Sequence, residues 1–303
     1  MNSYWVELLG AKTYQLRGRY ATRIIEAGEG EPLLLLHGTG GHAENYIYNI
    51  MPLARRFHVY AMDFLWHGAS QTDGFEPEII PKLADQVIDV LDTLNIEKTH
   101  LEGQSLGGWV AMHLALRHPG RLQKLVLTTT QGYRPDPGSI PGFVEPDPKK
   151  SQTQSMEILR DPTFEGVRTR LARVLANPEC LPEEAIAVRH KFYNDPAVNR
   201  AQQQLVSQYP DGEALARFIV TDAMAAQIKA PTLVYWGDKN VTPPSLGRRL
   251  ATVIPNARFV SAPNTGHWAQ FESHDLHNRE VMEFLSGAAE DVSRQSATAA
   301  VAD

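Results

Sequence analysis

The 303-residue chain carries 29 Lys and Arg against 35 Asp and Glu, a formal net charge of −6 with a pI near 6.0. No cationic run is present, which argues against a nucleic-acid partner, because phosphate binding needs a concentrated Lys/Arg face. Apolar runs such as residues 33–36 are far too short to cross a bilayer, and the N-terminus lacks a basic segment followed by an apolar one. A cytoplasmic protein with no membrane partner is the expectation. Hydrophobic residues make up 43% of the chain, enough for a sizeable core. The single cysteine, Cys180, has no partner for an internal disulfide and reads as a structural thiol.

In chain order, residues 22–26, 32–36 and 58–62 read as strands, followed by a helical pattern over 78–94. A strand over 99–102, a helix over 106–117 and a strand over 122–128 come next. The rhythm then breaks. Residues 131–227 open with Pro135, Pro137, Gly138, Pro141, Gly142, Pro146 and Pro148 and continue as amphipathic helix over 155–160, 164–176, 183–193 and 200–209. Strand 231–236, helix 244–254, strand 257–260 and helix 274–285 complete the pattern. The small, polar tail 287–303 has too little apolar content to pack. Strand–helix alternation with continuous apolar strands predicts a mostly parallel sheet covered on both faces. An all-helical insert in such a sheet is most economically a lid over its carboxyl edge.

Gly103-Gln104-Ser105-Leu106-Gly107 lies between a predicted strand and a predicted helix, the setting a G-x-S-x-G nucleophile elbow demands. A tight strand-to-helix turn strains the serine backbone, and small flanking residues relieve the clashes. A serine nucleophile needs a base, and the base needs a group to hold its tautomer. In this arrangement the chain order is Ser, then Asp or Glu, then His. Asp238 ends the strand Leu233-Val234-Tyr235-Trp236-Gly237-Asp238, and His267 sits in the loop after the next strand. Ser105, Asp238 and His267 are therefore the expected triad of an α/β-hydrolase fold, with core 1–130 and 228–286 and lid 131–227. The N–H groups of Leu106 and Thr39 are the expected oxyanion donors, and glycines such as Gly40 let the Thr39 loop approach a substrate closely. His37 reads as a loop-fixing residue.

The same loop offers a competing pattern. Gly38-Thr39-Gly40-Gly41-His42-Ala43 matches a dinucleotide fingerprint, with Asp63 twenty residues on. The fingerprint belongs to the first strand of its unit, however, and here a strand precedes it; the reading also leaves the triad without a purpose. No zinc motif and no phosphate-loop lysine is present, so neither metal nor cofactor is expected.

Together, His37-Gly38-Thr39-Gly40-Gly41, Gly103-Gln104-Ser105-Leu106-Gly107-Gly108-Trp109, Trp236-Gly237-Asp238 and Gly266-His267-Trp268-Ala269-Gln270-Phe271-Glu272 resemble the meta-cleavage-product hydrolases over roughly residues 23–285. These enzymes hydrolyse carbon–carbon bonds in bacterial aromatic degradation. The resemblance implies a 2-hydroxy-6-oxohexa-2,4-dienoate substrate cleaved at C5–C6, and dimerisation would be ordinary. It also implies that Arg189 holds the substrate carboxylate, that Asn45 lies near the dienol oxygens and that Trp268, adjacent to the base, packs on the substrate or the base. Two departures border the site: Gln104 stands where relatives commonly have Asn, and the oxyanion loop lacks their proline. A carboxylesterase or lactonase using the same triad is the alternative, and a non-catalytic hydrolase-like interaction protein is a third reading.

Overall fold

The computed structural model describes residues 3–144, 148–208 and 213–287. Residue 209 of the fourth predicted lid helix, and the tail from 288 onward, lie outside them. Eight strands form one sheet: β1 (Lys12–Arg17), β2 (Ala21–Ala27), β3 (Glu31–Leu36), β4 (Phe57–Met62), β5 (Thr99–Gln104), β6 (Leu122–Thr128), β7 (Thr232–Gly237) and β8 (Ala257–Ala262). Their order is β1-β2-β4-β3-β5-β6-β7-β8. β3 to β8 run parallel, while β2 pairs antiparallel with both β1 and β4. β5 and β7 are buried along their whole length, as strands covered on both faces must be.

The longer helices are α1 (Ile79–Thr93), α2 (Leu106–Arg117), α3 (Pro148–Arg160), α4 (Phe164–Ala172), α5 (Glu183–Tyr193), α6 (Pro196–Ser207), α7 (Pro244–Val253) and α8 (His274–Ser286). α3 to α6 lie in the insert between β6 and β7. Among the described residues no helix is long and apolar enough to cross a membrane.

Parallel strands deliver their carboxyl ends to one edge. The loops after β3, β5, β7 and β8 therefore gather residues 37–42, Ser105, 238–242 and 263–268 together, where open α/β sheets bind ligands. α2 is held close to this edge by Gly107, where a side-chain carbon would collide with the Leu36 carbonyl oxygen. The insert meets the same edge: Val174 O accepts both the His267 N–H (2.7 Å) and the Trp268 N–H (3.1 Å).

Asp63, the acid of the dinucleotide pattern, is consumed by the fold. It accepts from the Ala43 N–H (2.7 Å) and the Ala69 N–H (2.8 Å) and pairs with Arg23, pinning the 37–43 loop. A carboxylate so engaged has no face left for a ribose hydroxyl.

Candidate active site

Ser105 sits at φ +55° and ψ −115° at the N-terminus of α2. A non-glycine residue there stores strain on the order of 1–3 kcal/mol, and the ladder around it holds it: Ser105 N–H donates to Thr128 O, while its carbonyl accepts from Trp109 and Gln131. Ser105 Oγ lies 2.9 Å from His267 Nε2. The imidazole is clamped through its backbone, since its carbonyl accepts from Thr129 Oγ1 (2.6 Å) and Gln104 Nε2 (3.1 Å). Gln104 thus spends its amide on the base loop.

The expected acid is displaced. Asp238 does not meet the imidazole; its Oδ1 accepts the Thr265 N–H at 3.1 Å and closes the loop that carries His267. The group facing His267 Nδ1 is Asn240, with Oδ1 at 2.9 Å. Physically, β7 ends at Gly237 and the chain turns at once, with the Asn240 N–H donating back to Gly237 O (3.2 Å). That turn swings the residue three beyond the glycine, rather than the one after it, toward the base. A search confined to carboxylates passes over an amide at this spacing. Burial pushes the His267 imidazole down to about 4.

Thr39 follows Gly38, where a side-chain carbon would fall 3.0 Å from Ser105 Cβ, so this loop runs close to Ser105. Leu106 is the first residue of α2, and its N–H has no carbonyl one turn back within the helix to bond. Leu106 thus directly follows Ser105 in the chain, and the loop that carries Thr39 passes close to it. His37 braces the loop from within: its Nε2 accepts the Phe64 N–H (3.0 Å), leaving Nδ1 to donate to Gly38 O (2.8 Å).

The insert supplies a cationic roof. Arg189, on α5, is buried and donates from Nη2 to Asn45 Oδ1 at 2.9 Å. Trp268 Nε1 donates to Asn45 O at 3.0 Å, and its ring stacks on Phe271 at 4.0 Å. Arg189, Asn45 and Trp268 thus form one connected group. Gly40, at φ +69°, faces Tyr193; a side-chain carbon there would lie 2.5 Å from the Tyr193 hydroxyl and 3.0 Å from Arg170 Nη2. The guanidiniums of Arg170 and Arg189 each lie 5.7 Å from the Tyr193 ring centre. Although burial raises the Tyr193 phenol, the two cations and their hydrogen bonds outweigh it and hold it below its ordinary range. Arg170, Tyr193 and Gln202 escaped the sequence reading, because lid residues have no motif to mark them. Cys180 lies away from this constellation, and burial pushes its thiol up to about 11, where it is a poor nucleophile.

The profile of the alpha/beta hydrolase fold matches residues 31–274, and the chain belongs to that family. A 2-hydroxy-6-oxononadienedioate/2-hydroxy-6-oxononatrienedioate hydrolase of Comamonas testosteroni is 30% identical over 275 residues, covering 88% of this chain and 92% of the relative. A 2-hydroxy-6-oxo-6-phenylhexa-2,4-dienoate hydrolase of the same species is 30% identical over 86% of this chain and 89% of its own length. The solved 2-hydroxy-6-oxo-6-phenylhexa-2,4-dienoate hydrolase from Rhodococcus sp. strain RHA1 superposes with a TM-score of 0.80 at 25% identity, covering 91% of this chain and 100% of that one. Within the α/β hydrolases, then, the chain stands among the meta-cleavage-product enzymes.

Proposed function

We propose that the chain hydrolyses the C5–C6 bond of a 2-hydroxy-6-oxohexa-2,4-dienoate. Arg189 carries this reading. Only 4% of it is exposed, and its hydrogen-bond partners among the described residues are the neutral Asn45 and Tyr193 side chains. A buried, permanently charged guanidinium is costly unless an opposite charge comes to it, and its planar fork suits a carboxylate. The C1 carboxylate of a dienoate supplies that charge. With it anchored, Asn45 lies beside the 2-oxygen, Gly40 and Trp268 line the dienoate, and the 6-oxo carbon reaches Ser105. A neutral ester or lactone offers Arg189 nothing to hold, which favours the dienoate over the alternative.

His267 takes a proton from Ser105 or from a water, and the N–H groups of Thr39 and Leu106 receive the charge that develops on the 6-oxygen. C5 must gain a proton before or as the bond breaks, so that no free carbanion departs. One water is consumed, giving a 2-hydroxydienoate and a carboxylic acid. The insert, residues 131–227, acts as the lid that keeps other water out.

The test follows loss of the dienolate's visible absorbance beside p-nitrophenyl ester release, in the native chain and in Ser105→Ala. A kcat/KM favouring the dienoate by about 100-fold matches the 2–3 kcal/mol of a charge-assisted carboxylate contact. Faster ester than dienoate turnover would hand the assignment to the esterase reading.

A further inference from the structure

The third member of the Ser105–His267 relay is an amide, and an amide can face a histidine two ways round. With its oxygen toward the ring, Asn240 accepts from Nδ1–H and leaves a lone pair on Nε2 for the Ser105 hydroxyl proton. With its NH₂ toward the ring, it would force the hydrogen onto Nε2, pointing it at Ser105 Oγ and disabling the base. A carboxylate has no such wrong face. Asn240 is buried, and its Nδ2 donates to Thr242 Oγ1 at 2.9 Å while its Oδ1 lies 2.9 Å from His267 Nδ1. Thr242 is itself tethered, its carbonyl accepting from Trp236 Nε1 at 3.0 Å.

We propose that Asn240 and Thr242 form a tautomer lock: two positioning residues that keep the hydrogen of His267 on Nδ1 without placing a counter-charge beside the ring. With Thr242 Oγ1 accepting from the amide NH₂, the amide oxygen faces the imidazole. This rests on the catalytic pairing of Ser105 and His267 proposed above.

The surroundings of the ring agree. The loop after β7 presents Asn240; the start of α2 presents Ser105; Thr129, just past β6, and Gln104, the last residue of β5, donate to the backbone carbonyl; the insert offers the Val174 carbonyl. The nearby carboxylates are occupied elsewhere, Asp238 on Thr265 N–H and Glu272 on the N–H groups of Gly266, Ala176 and Asn177. Burial is the one cause that lowers the imidazole, with no charge raising it again. A base of this kind passes a proton onward rather than storing it. The proton must then pass on to the substrate, at C5 of the dienoate.

Three measurements on the full chain decide it. Ring-nitrogen NMR of His267, made without substrate, is expected to show Nδ1 protonated near neutral pH; a hydrogen on Nε2 would overturn the lock. Asn240→Asp supplies the missing charge, so the acid limb of kcat/KM should rise by more than one pH unit from near 4, toward the ordinary imidazole range of about 6.5. An unmoved limb in a folded variant would overturn the claim that the ring lacks a counter-charge. Thr242→Val should lower kcat about tenfold with KM unchanged, roughly one hydrogen bond's worth, but by less than about twofold in the Asn240→Asp background, where no NH₂ remains to misorient. Equal losses in both backgrounds would make Thr242 a merely structural residue. Should Ser105→Ala retain full turnover, the functional reading falls, while the NMR result still decides the lock.

Discussion

At Gly40 the backbone is left-handed and the lid leaves no room for a methyl group, with the Tyr193 hydroxyl and Arg170 Nη2 on the spot a side-chain carbon would occupy. Gly40→Ala should cost about 1–2 kcal/mol of stability in thermal melts, the sum of strain and displacement. It should also lower kcat/KM on the dienoate, because Tyr193 and the roof arginines must shift. Arg189 makes a different claim. Arg189→Met should raise KM for the dienoate 10- to 100-fold, the loss of about 1.5–3 kcal/mol of charge-assisted binding, while p-nitrophenyl ester turnover changes little. Equal losses on both substrates would mean that Arg189 supports the lid rather than the ligand. Ser105 and His267 were legible in the sequence because each sits in a fixed local frame of strand, turn and helix. Asn240 was not, since its role depends on how tightly the chain turns after Gly237, and a pattern search for acids stops at Asp238.

Among the elements, the α/β strands were legible because burial on both faces demands unbroken apolar runs. β1 was not. Lys12–Arg17 alternates exposed and half-buried residues and pairs only with β2, so nothing in its composition separates it from a polar loop. Helix lengths in the insert also shifted: α4 ends at Ala172, and the Val174 carbonyl with the Ala176 and Asn177 N–H groups bonds to residues 267–272 instead. Glu272 organises that junction by accepting three backbone N–H groups, from Gly266 (2.6 Å), Ala176 (3.1 Å) and Asn177 (2.5 Å). Glu272→Ala removes those contacts, and because Ala176 and Asn177 are exposed and can turn to water, it should destabilise the fold by about 1–2 kcal/mol, seen in denaturant midpoints. Limited proteolysis should then cut near residues 173–177 faster than in the native chain. An unchanged cleavage pattern would show that the junction has other support.

For the molecule as a whole, buried histidines set the acid side of stability. Burial holds His67 and His267 at about 4, and burial with the Arg117 charge does the same for His113. Each is neutral in the fold down to about 4 but takes a proton in the unfolded chain below about 6.5. Across that window the unfolded state binds more protons, so stability rises with pH and falls as the solution is acidified from about 6.5 toward 4. Melting temperature should drop steadily over that range. His67→Gln should flatten part of the slope, because the ring nitrogen Nε2 has no partner among the described residues and burial outweighs the one Leu65 carbonyl that favours the charged ring.

One carbonyl, Val174 O, holds both amides that enter the His267 loop. Any motion that raises this part of the roof must break both bonds, while Thr129 and Gln104 keep the His267 carbonyl tied to the sheet. Opening there would therefore remove one support of the loop that carries the imidazole and leave the others in place.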